Sequence, residues 1–537
     1  MNLLLNSYSL SVMLSADSDS LWKLVFFASV PVVLLIVLLG FLKLSGDKSA
    51  AITLASSVLI GLVIFEFPVS DMGLSVIYGV LKAIFPILII IIMAIFSYNV
   101  LVHTGKMDII KEQFTTISSD KCIQVLLLTW GFGGLLEGMA GFGTAVAIPA
   151  AILISLGFKP IFSAVVSLIA NSVATAFGAV GTPVKVLAEQ ASIDNVQILS
   201  VHVVLQLSLL MYIIPFVLMF LTDSRVKALP KNILISAIVG TVSLATQYLS
   251  ARYMGAETPA IAGSLASIIT IIIYAKLTAS EEDKELQSKF EKRTTGQILN
   301  AWSVYGLILF LVILTSPLLP LKKVLDPIVS YAINFNILDA VSGSVKARAV
   351  KFSLIDAGVL LFMGSMLGGL LQGAKVGELF KLLLKVLKLQ KKTIITVSCL
   401  IALSSVMDFS GMIYMLGIAL ATVTGAFYPL FAPTIGCLGT FLTGSDTSSN
   451  ILFGKLQSNV ASNIGVDNSW LSAANTAGAT GGKIISPQSI AVATSSCGQQ
   501  GQEGEIMKKA IPYALGYIVI TGLVVYFAPK LFGSLLF

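Results

Sequence analysis

Apolar runs of about 20 residues recur from one end of this chain to the other, and a segment of that length is what a helix needs to cross a bilayer. The runs lie at 21–43, 50–67, 75–104, 160–184, 196–221, 231–250, 256–277, 299–319, 354–374, 393–426, 470–497 and 510–530. With 56% hydrophobic and only 11% charged residues, the 537-residue chain is excluded from the class of single aqueous globules. The expected fold is an all-α polytopic membrane protein of about 12 transmembrane helices plus two re-entrant hairpins in an inverted repeat. No cleavable leader is evident, and the run Leu21–Leu42 is long enough to cross and stay.

Charge and cysteine usage narrow the function further. The net charge of +7 sits in short connections between runs, where lysine and arginine set orientation, so no nucleic-acid partner is implied. With the N-terminus outside, the basic loops 106–121, 222–231, 276–293 and 375–392 fall inside, whereas 322–351, with Lys322, Lys323, Lys346, Arg348 and Lys351, falls outside against the rule. Segments 106–121 and 376–391 are amphipathic and suit helices lying in the interface. Cys122, Cys399, Cys437 and Cys497 stand apart with no metal-ligand spacing and read as packing residues; no metal and no cofactor are expected.

The halves are related. Gly141-Phe142-Gly143-Thr144 and Gly444-Ser445-Asp446-Thr447, then Ala170–Pro183 and Ala474–Pro487, recur at one offset of roughly 300 positions. A competing register pairs Glu137–Gly141 with Asp408–Gly411; the longer offset is preferred because it matches polar clusters rather than apolar runs. The division that follows is a tail 1–20, a first half 21–279 with a re-entrant hairpin at about 122–157 and a broken helix 160–184, and a charged cytoplasmic linker 280–298. The second half, 299–537, carries a hairpin at about 429–463 and a broken helix 470–497.

Non-helical backbone survives at membrane depth only where protein or a wet cavity satisfies it. Four glycine-rich polar breaks inside apolar sequence therefore mark a cavity: EGMAGFGT (Glu137–Thr144), FGAVGTP (Phe177–Pro183), TGSDTSSN (Thr443–Asn450) and ATGGKIISPQS (Ala479–Ser489). Helices that begin at such breaks aim N-terminal amides and positive dipole ends inward, which suits a small anion. The candidate binding residues are Gly141, Phe142, Gly143, Thr144, Asn171, Thr182, Ser445, Thr447, Ser448, Asn450, Asn475, Lys483, Ser486 and Gln488. Taken singly, each hydroxyl equally suits helix packing. Charges inside apolar sequence cost about 2.5–3.5 kcal/mol each on insertion scales, so Glu137, Asp446, Asp408 and Lys483 each call for a partner or a task. Glu137 is the first choice for a proton relay, followed by Asp446, which equally suits a sodium ligand set, and Asp408. The plain alternative is a structural Asp408–Lys483 pair, and an unpaired Lys483 would be the counter-ion for a carboxylate. His202 is expected to bond a neighbouring helix, Lys82 to snorkel or pair, Asp356 to begin a helix, and Trp22, Trp130, Trp302 and Trp470 to anchor at the interface.

The strings EGMAGFGTAVAIPAAILISLGFKP, LIANSVATAFGAVGTP, FLTGSDTSSNILFGKLQ and GGKIISPQSIAVA resemble the signature segments of the L-lactate permease family. The resemblance implies two opposed re-entrant hairpins and two broken helices around the substrate, and import of L-lactate, or of glycolate, with protons. Two departures flank the breaks: Ala145 stands where the family commonly has proline, and Val173-Ala174-Thr175 where it has an alanine-proline-valine run. The implied partners are a small carboxylate, protons and the lipid bilayer of the cell inner membrane; oligomeric state is left open, a homodimer included. The rivals are a sodium-coupled carboxylate symporter of the same fold, a channel or sensor, and a membrane-embedded enzyme. The last is poorly supported, because the two histidines lie near no Ser/Asp pair.

Overall fold

The computed structural model describes residues 18–38, 42, 44–115, 117–141, 143–279, 293–315, 324–325, 328–499 and 502–536. The tail before residue 18 and most of the charged linker lie outside the described residues. The chain is a polytopic helical membrane protein. Among the described residues nine helical segments are long and apolar enough to cross a bilayer, or up to eleven if each bent pair forms one span.

The first half runs α1 (Ser18–Ile36), α2 (Gly46–Val63), α3 (Val69–His103), α4 (Lys106–Thr115), α5 (Lys121–Met139), α6 (Thr144–Ser155), α7 (Pro160–Thr175), α8 (Gly178–Gln190), α9 (Val196–Gln206), α10 (Leu210–Thr222), α11 (Leu229–Met254) and α12 (Pro259–Leu277). The second half runs α13 (Thr295–Leu314), strands β1 (Ser330–Asp339) and β2 (Ser344–Ser353), α14 (Ala357–Leu371), α15 (Val376–Leu389), α16 (Lys391–Phe409), α17 (Met412–Thr424), α18 (Tyr428–Thr443), α19 (Asp446–Ile464), α20 (Asn468–Lys483), α21 (Pro487–Ser496) and α22 (Glu503–Leu536). Helix α13 starts earlier than the linker boundary suggests. Thr294 and Gln297 form a capping box, so residues 295–298 are already its first turn.

Small residues decide how the middle packs. In α20 every residue from Ser469 to Gly482 is buried. A Cβ at Gly436, Gly478 or Gly482 would run into the backbone of the facing helix, so α18 and α20 touch main chain to main chain. Polar side chains lock this contact. Asn450 Nδ2 donates to the Pro183 carbonyl at 3.0 Å and to Thr476 Oγ1 at 2.6 Å, Asn475 Nδ2 donates to Asn450 Oδ1 at 2.9 Å, and Tyr428 donates to Gln457 Oε1 at 2.9 Å. Trp130 and Trp470 are buried, against the expectation of interface anchors. Their indole N–H groups donate to Ser267 Oγ at 3.3 Å and to the Val525 carbonyl at 2.9 Å, and Trp470 also packs against His202. His202 is bonded to Ser469 of α20, as the sequence suggests.

Two ends of the molecule can be told apart by its own contacts. At one end α4 meets the start of α13 through Arg293–Glu112 at 2.9 Å, Thr104 meets Gln372 at 2.7 Å, and Gly46 faces Thr396. At the other end lie the α8–α9 turn, which holds Ser458 and Asn468 through the Ala191 carbonyl, and the strand pair.

That pair departs from an all-α fold. Residues 322–351 read in the sequence only as a basic loop, yet β1 and β2 form an antiparallel hairpin with Ile337 opposite Lys346 and Ile333 opposite Val350. Tyr331, Ile333, Phe335 and Ile337 alternate with Ala332, Asn334 and Asn336, the period-two pattern of a strand. The tip docks on the helices: Asp71 accepts from the Leu338 amide at 2.9 Å, and the Ala340 amide donates to the Phe409 carbonyl at 2.9 Å. Ile337, Val350, Tyr78, Met72 and Phe409 form a separate apolar cluster beneath it. Lys346 is paired with Asp339, which offsets part of the positive charge on this segment. Asp71→Ala leaves the buried Leu338 amide without its acceptor, at a cost of about 1–3 kcal/mol; amide exchange should speed up through β1 and leave α20 unchanged.

Candidate functional site

Two helix–turn–helix units and two broken helices meet in the middle of the chain's fold. The first unit is α5–α6, joined through residues 140–143; the second is α18–α19, joined at Gly444 and Ser445. Each turn is made by glycine at positive φ: Gly141 at 61°, Gly143 at 88° and Gly444 at 71°. The broken helix α7–α8 bends by 50°. Its break runs through Ala179 (φ 43°), Val180 (φ 56°) and Gly181 (φ 74°), three consecutive left-handed residues. For non-glycine residues this conformation costs about 1–2 kcal/mol each, so packing must hold it. Helices α20 and α21 are separated by Ile484–Ser486, a break without left-handed residues.

The packing is reciprocal. Helix α6, the second arm of the first unit, lies on α21, the second arm of the other broken helix; α19 lies on α8 in the same relation. The first arms α7 and α20 pack against each other.

A cavity of about 1030 Å³ opens among these elements. Four helix starts border it: Gly143 and Thr144 of α6, Ala179 and Pro183 of α8, Ser445–Ser448 of α19, and Pro487–Ser489 of α21. Ser445 caps α19 by accepting from the Ser448 amide at 3.2 Å, and Ser486 accepts from the Ser489 amide at 3.2 Å. Four positive dipole ends on one cavity favour an anion. The rest of the wall includes Tyr98 and Asn99 of α3, Lys392, Thr393, Thr396, Val397 and Leu400 of α16, and Ser45–Asp47 before and within α2. Those stretches are the near ends of α2 and α16, so the cavity runs from the Arg293–Glu112 end of the molecule to the helix breaks. Toward the opposite end α8 is held by ion pairs, Lys185–Glu257 at 2.8 Å and Lys82–Glu189 at 3.7 Å.

Three charges gather at the breaks. Lys483 Nζ donates to Glu137 Oε1 at 3.1 Å, with the Glu137 side chain buried and that of Lys483 partly exposed to the cavity. Glu137 Oε2 and both carboxyl oxygens of Asp446 are buried and have no hydrogen-bond partner among the described residues. Asp446 lies close enough to interact electrostatically with both Lys483 and Glu137. Gly178 makes room for the pair, since a Cβ there would stand 2.7 Å from Glu137 Oε1.

The structure brings Glu137, Gly141, Gly143, Thr144, Ser445, Asp446, Thr447, Ser448, Lys483 and Gln488 onto the cavity wall. Phe142 lies outside the described residues. The other candidates are turned away. Asn450 and Asn475 hold α19, α20 and the α8 backbone together; Asn171 Nδ2 donates to Thr175 Oγ1 at 3.3 Å, Thr182 back-bonds to the Ala179 carbonyl at 2.6 Å, and Ser486 donates to Ser489 at 2.8 Å. Asp408 is at the last turn of α16, paired with Lys455 at 3.8 Å and remote from Lys483. The Asp408–Lys483 pairing is thereby corrected, and so is an unpaired Lys483. Sequence reasoning missed the wall formed by Tyr98, Asn99 and the α16 residues Lys392, Thr393, Thr396, Val397 and Leu400, whose only signal is that ordinary apolar helices carry an isolated Asn or Thr. Among the described residues no group of His, Cys, Asp and Glu side chains could hold a metal ion.

Fold and site together define a polytopic helical membrane protein with a polar, helix-end-lined cavity in its interior. The L-lactate permease family model matches residues 25–532, and the chain belongs to that family. Its relatives include an L-lactate permease of Streptococcus iniae, 39% identical over 83% of this chain and 92% of the relative. The glycolate permease GlcA of Escherichia coli K12 is 33% identical over 95% of this chain and 96% of its own, and an L-lactate permease of Bacillus subtilis is 31% identical over 94% and 96%.

The break geometry makes a direct prediction. At Gly181 a Cβ would be strained by φ and would collide with the Ala256 carbonyl, approaching the Glu257 nitrogen to 2.9 Å. Gly181→Ala should cost about 2–5 kcal/mol, seen as a lower thermal midpoint of the purified protein. Gly306→Ala, where nothing lies within 4 Å, is the control and should leave the midpoint in place.

Proposed function

We propose that this protein is a secondary active transporter that carries L-lactate, or a related short 2-hydroxycarboxylate such as glycolate, together with a proton across the plasma membrane. The observation that carries the reading is the meeting of Lys483, Glu137 and Asp446 with four helix N-termini in one cavity. An anion is met there by dipole ends and an ammonium, and the hydroxyls of Thr144, Ser445 and Thr447 and the amide of Gln488 supply donors and acceptors for a 2-hydroxyl group. The L-lactate and glycolate permeases among the relatives support the same class of solute. Glu137, held by Lys483, and Asp446, beside them both, are the candidate proton-carrying groups.

In this reading α5–α6 and α18–α19 are re-entrant hairpins entering from opposite faces. The reciprocal packing of α6 on α21 and of α19 on α8 supports an inverted repeat. The cavity mouth lies at the end that carries Lys375, Lys381, Lys385, Lys388, Lys391 and Lys392, and this excess of positive charge supports a cytoplasmic mouth with the N-terminus outside. The cavity is then open inward, and the Lys185–Glu257 and Lys82–Glu189 pairs close the outer path. Rocking of one repeat against the other would expose the same site outside.

A lactate monoanion moved with one proton carries no net charge, so the membrane potential does no work and the pH gradient drives the cycle. Each pH unit is worth about 1.4 kcal/mol, or about tenfold accumulation. Proteoliposomes with an acid exterior should accumulate labelled L-lactate, and a potential imposed by potassium and valinomycin should add nothing. Uptake indifferent to pH and steep in sodium would establish the cation-coupled alternative instead.

A further inference from the structure

We infer that Lys483 is an exchange switch: substrate carboxylate and Glu137 compete for its single ammonium group, and Glu137 takes up a proton whenever it loses that contest. The inference rests on the transport reading above and assigns the coupling step to particular atoms.

The charges on the cavity wall are few. Its basic residues are Lys483 at the breaks and Lys392 at the mouth; its acids are Glu137, Asp446 and Asp47, the last also at the mouth. Lys483 is thus the ammonium that stands beside the four helix starts, and it is already occupied by Glu137 at 3.1 Å. The helices packed against the second half of α5 bring no substitute. Helices α6 and α7 carry no charged residue, Lys185 and Glu189 of α8 are paired with Glu257 and Lys82, and Lys276 of α12 is in that helix's last turn. Tyr517 of α22 is bonded to Thr480.

An arriving carboxylate therefore has either to share Lys483 with Glu137 or to displace it. Two ionised carboxylates sharing one ammonium would leave an excess negative charge in a site of low dielectric, beside a third carboxyl group, Asp446, that has no donor among the described residues. A proton removes the conflict. Glu137 Oε2, buried and with no hydrogen-bond partner among the described residues, is the oxygen that can receive it. On loading, the Lys483–Glu137 contact breaks, a Lys483–substrate contact forms, and one proton passes from water to the Glu137 carboxylate. On release at the other face the proton leaves, Glu137 returns to Lys483, and the substrate is expelled. The charge of the site is the same before and after, which makes the ratio one proton per monoanion.

The test is calorimetric titration of the purified full-length protein with L-lactate in buffers of different ionisation enthalpy. Wild type should take up about one proton per lactate, and its affinity should fall about tenfold per pH unit on the alkaline side. In Glu137→Gln the proton uptake should vanish and affinity should become independent of pH, whereas Glu137→Asp should restore both. A wild-type protein that binds lactate with no proton uptake overturns the switch, and so does uptake that survives Glu137→Gln but is lost in Asp446→Asn. Should Glu137→Gln not survive purification, the wild-type slope and Glu137→Asp decide: flat affinity in the former, or lost uptake in the latter with lactate still bound, overturns it. Failure of the transport reading looks different, for then neither lactate nor glycolate binds at any pH.

Discussion

Every feature of the site depends on one constraint, that backbone amides and carbonyls exposed by a broken helix inside a membrane must find partners in the protein or in water. In this fold the partners come from side chains that the breaks themselves supply. Asn450 reaches the Pro183 carbonyl of the opposite half, Ser445 and Ser486 cap the helices that start beside them, and Ser449 donates to the Gly436 carbonyl at 2.8 Å. The breaks are thus held open as rigid structure, and their free helix starts remain available to face the cavity. The three left-handed residues Ala179–Gly181 are affordable only in such a frame.

With the breaks held, charge placement follows. Lys483 ends α20 and Glu137 lies near the end of α5, so the ion pair joins one half of the chain to the other across the place where α7 and α20 touch. The pair is largely buried, and such a pair is weak evidence of stability, because desolvation offsets much of its attraction. Its value here is chemical. In the proposed cycle it holds a carboxylate and an ammonium where a carboxylate solute would need the ammonium and would force a proton onto the carboxylate. The pairing also ties the two halves of the chain together at the site.

Comparison of the candidate residues with their positions separates two kinds of signal. The glycine-rich breaks and the charges within them were legible, because polar and glycine residues inside apolar sequence are costly and therefore informative. Which polar residue faces the cavity was not. Thr144 and Thr447 line it, whereas Thr182 and Asn475, equally polar and equally near a break, turn into helix contacts. A helix presents each side chain to one direction only, and direction is set by the neighbour it packs on. The strand pair was overlooked for a related reason: its alternation of Tyr331, Ile333, Phe335 and Ile337 is short and sits beside basic residues that suggested a loop.

The amino-acid sequence by itself determined the membrane setting, the family and the polar breaks, since each is written in local composition and spacing. Only the tertiary structure decided the partnerships: that Lys483 belongs with Glu137 and Asp408 with Lys455, that Asp446 lacks a donor among the described residues, and that α3 and α16 contribute to the cavity wall. Ion pairing falls off over a few ångströms, and no pattern along the chain states which residues hundreds of positions apart will come within that reach.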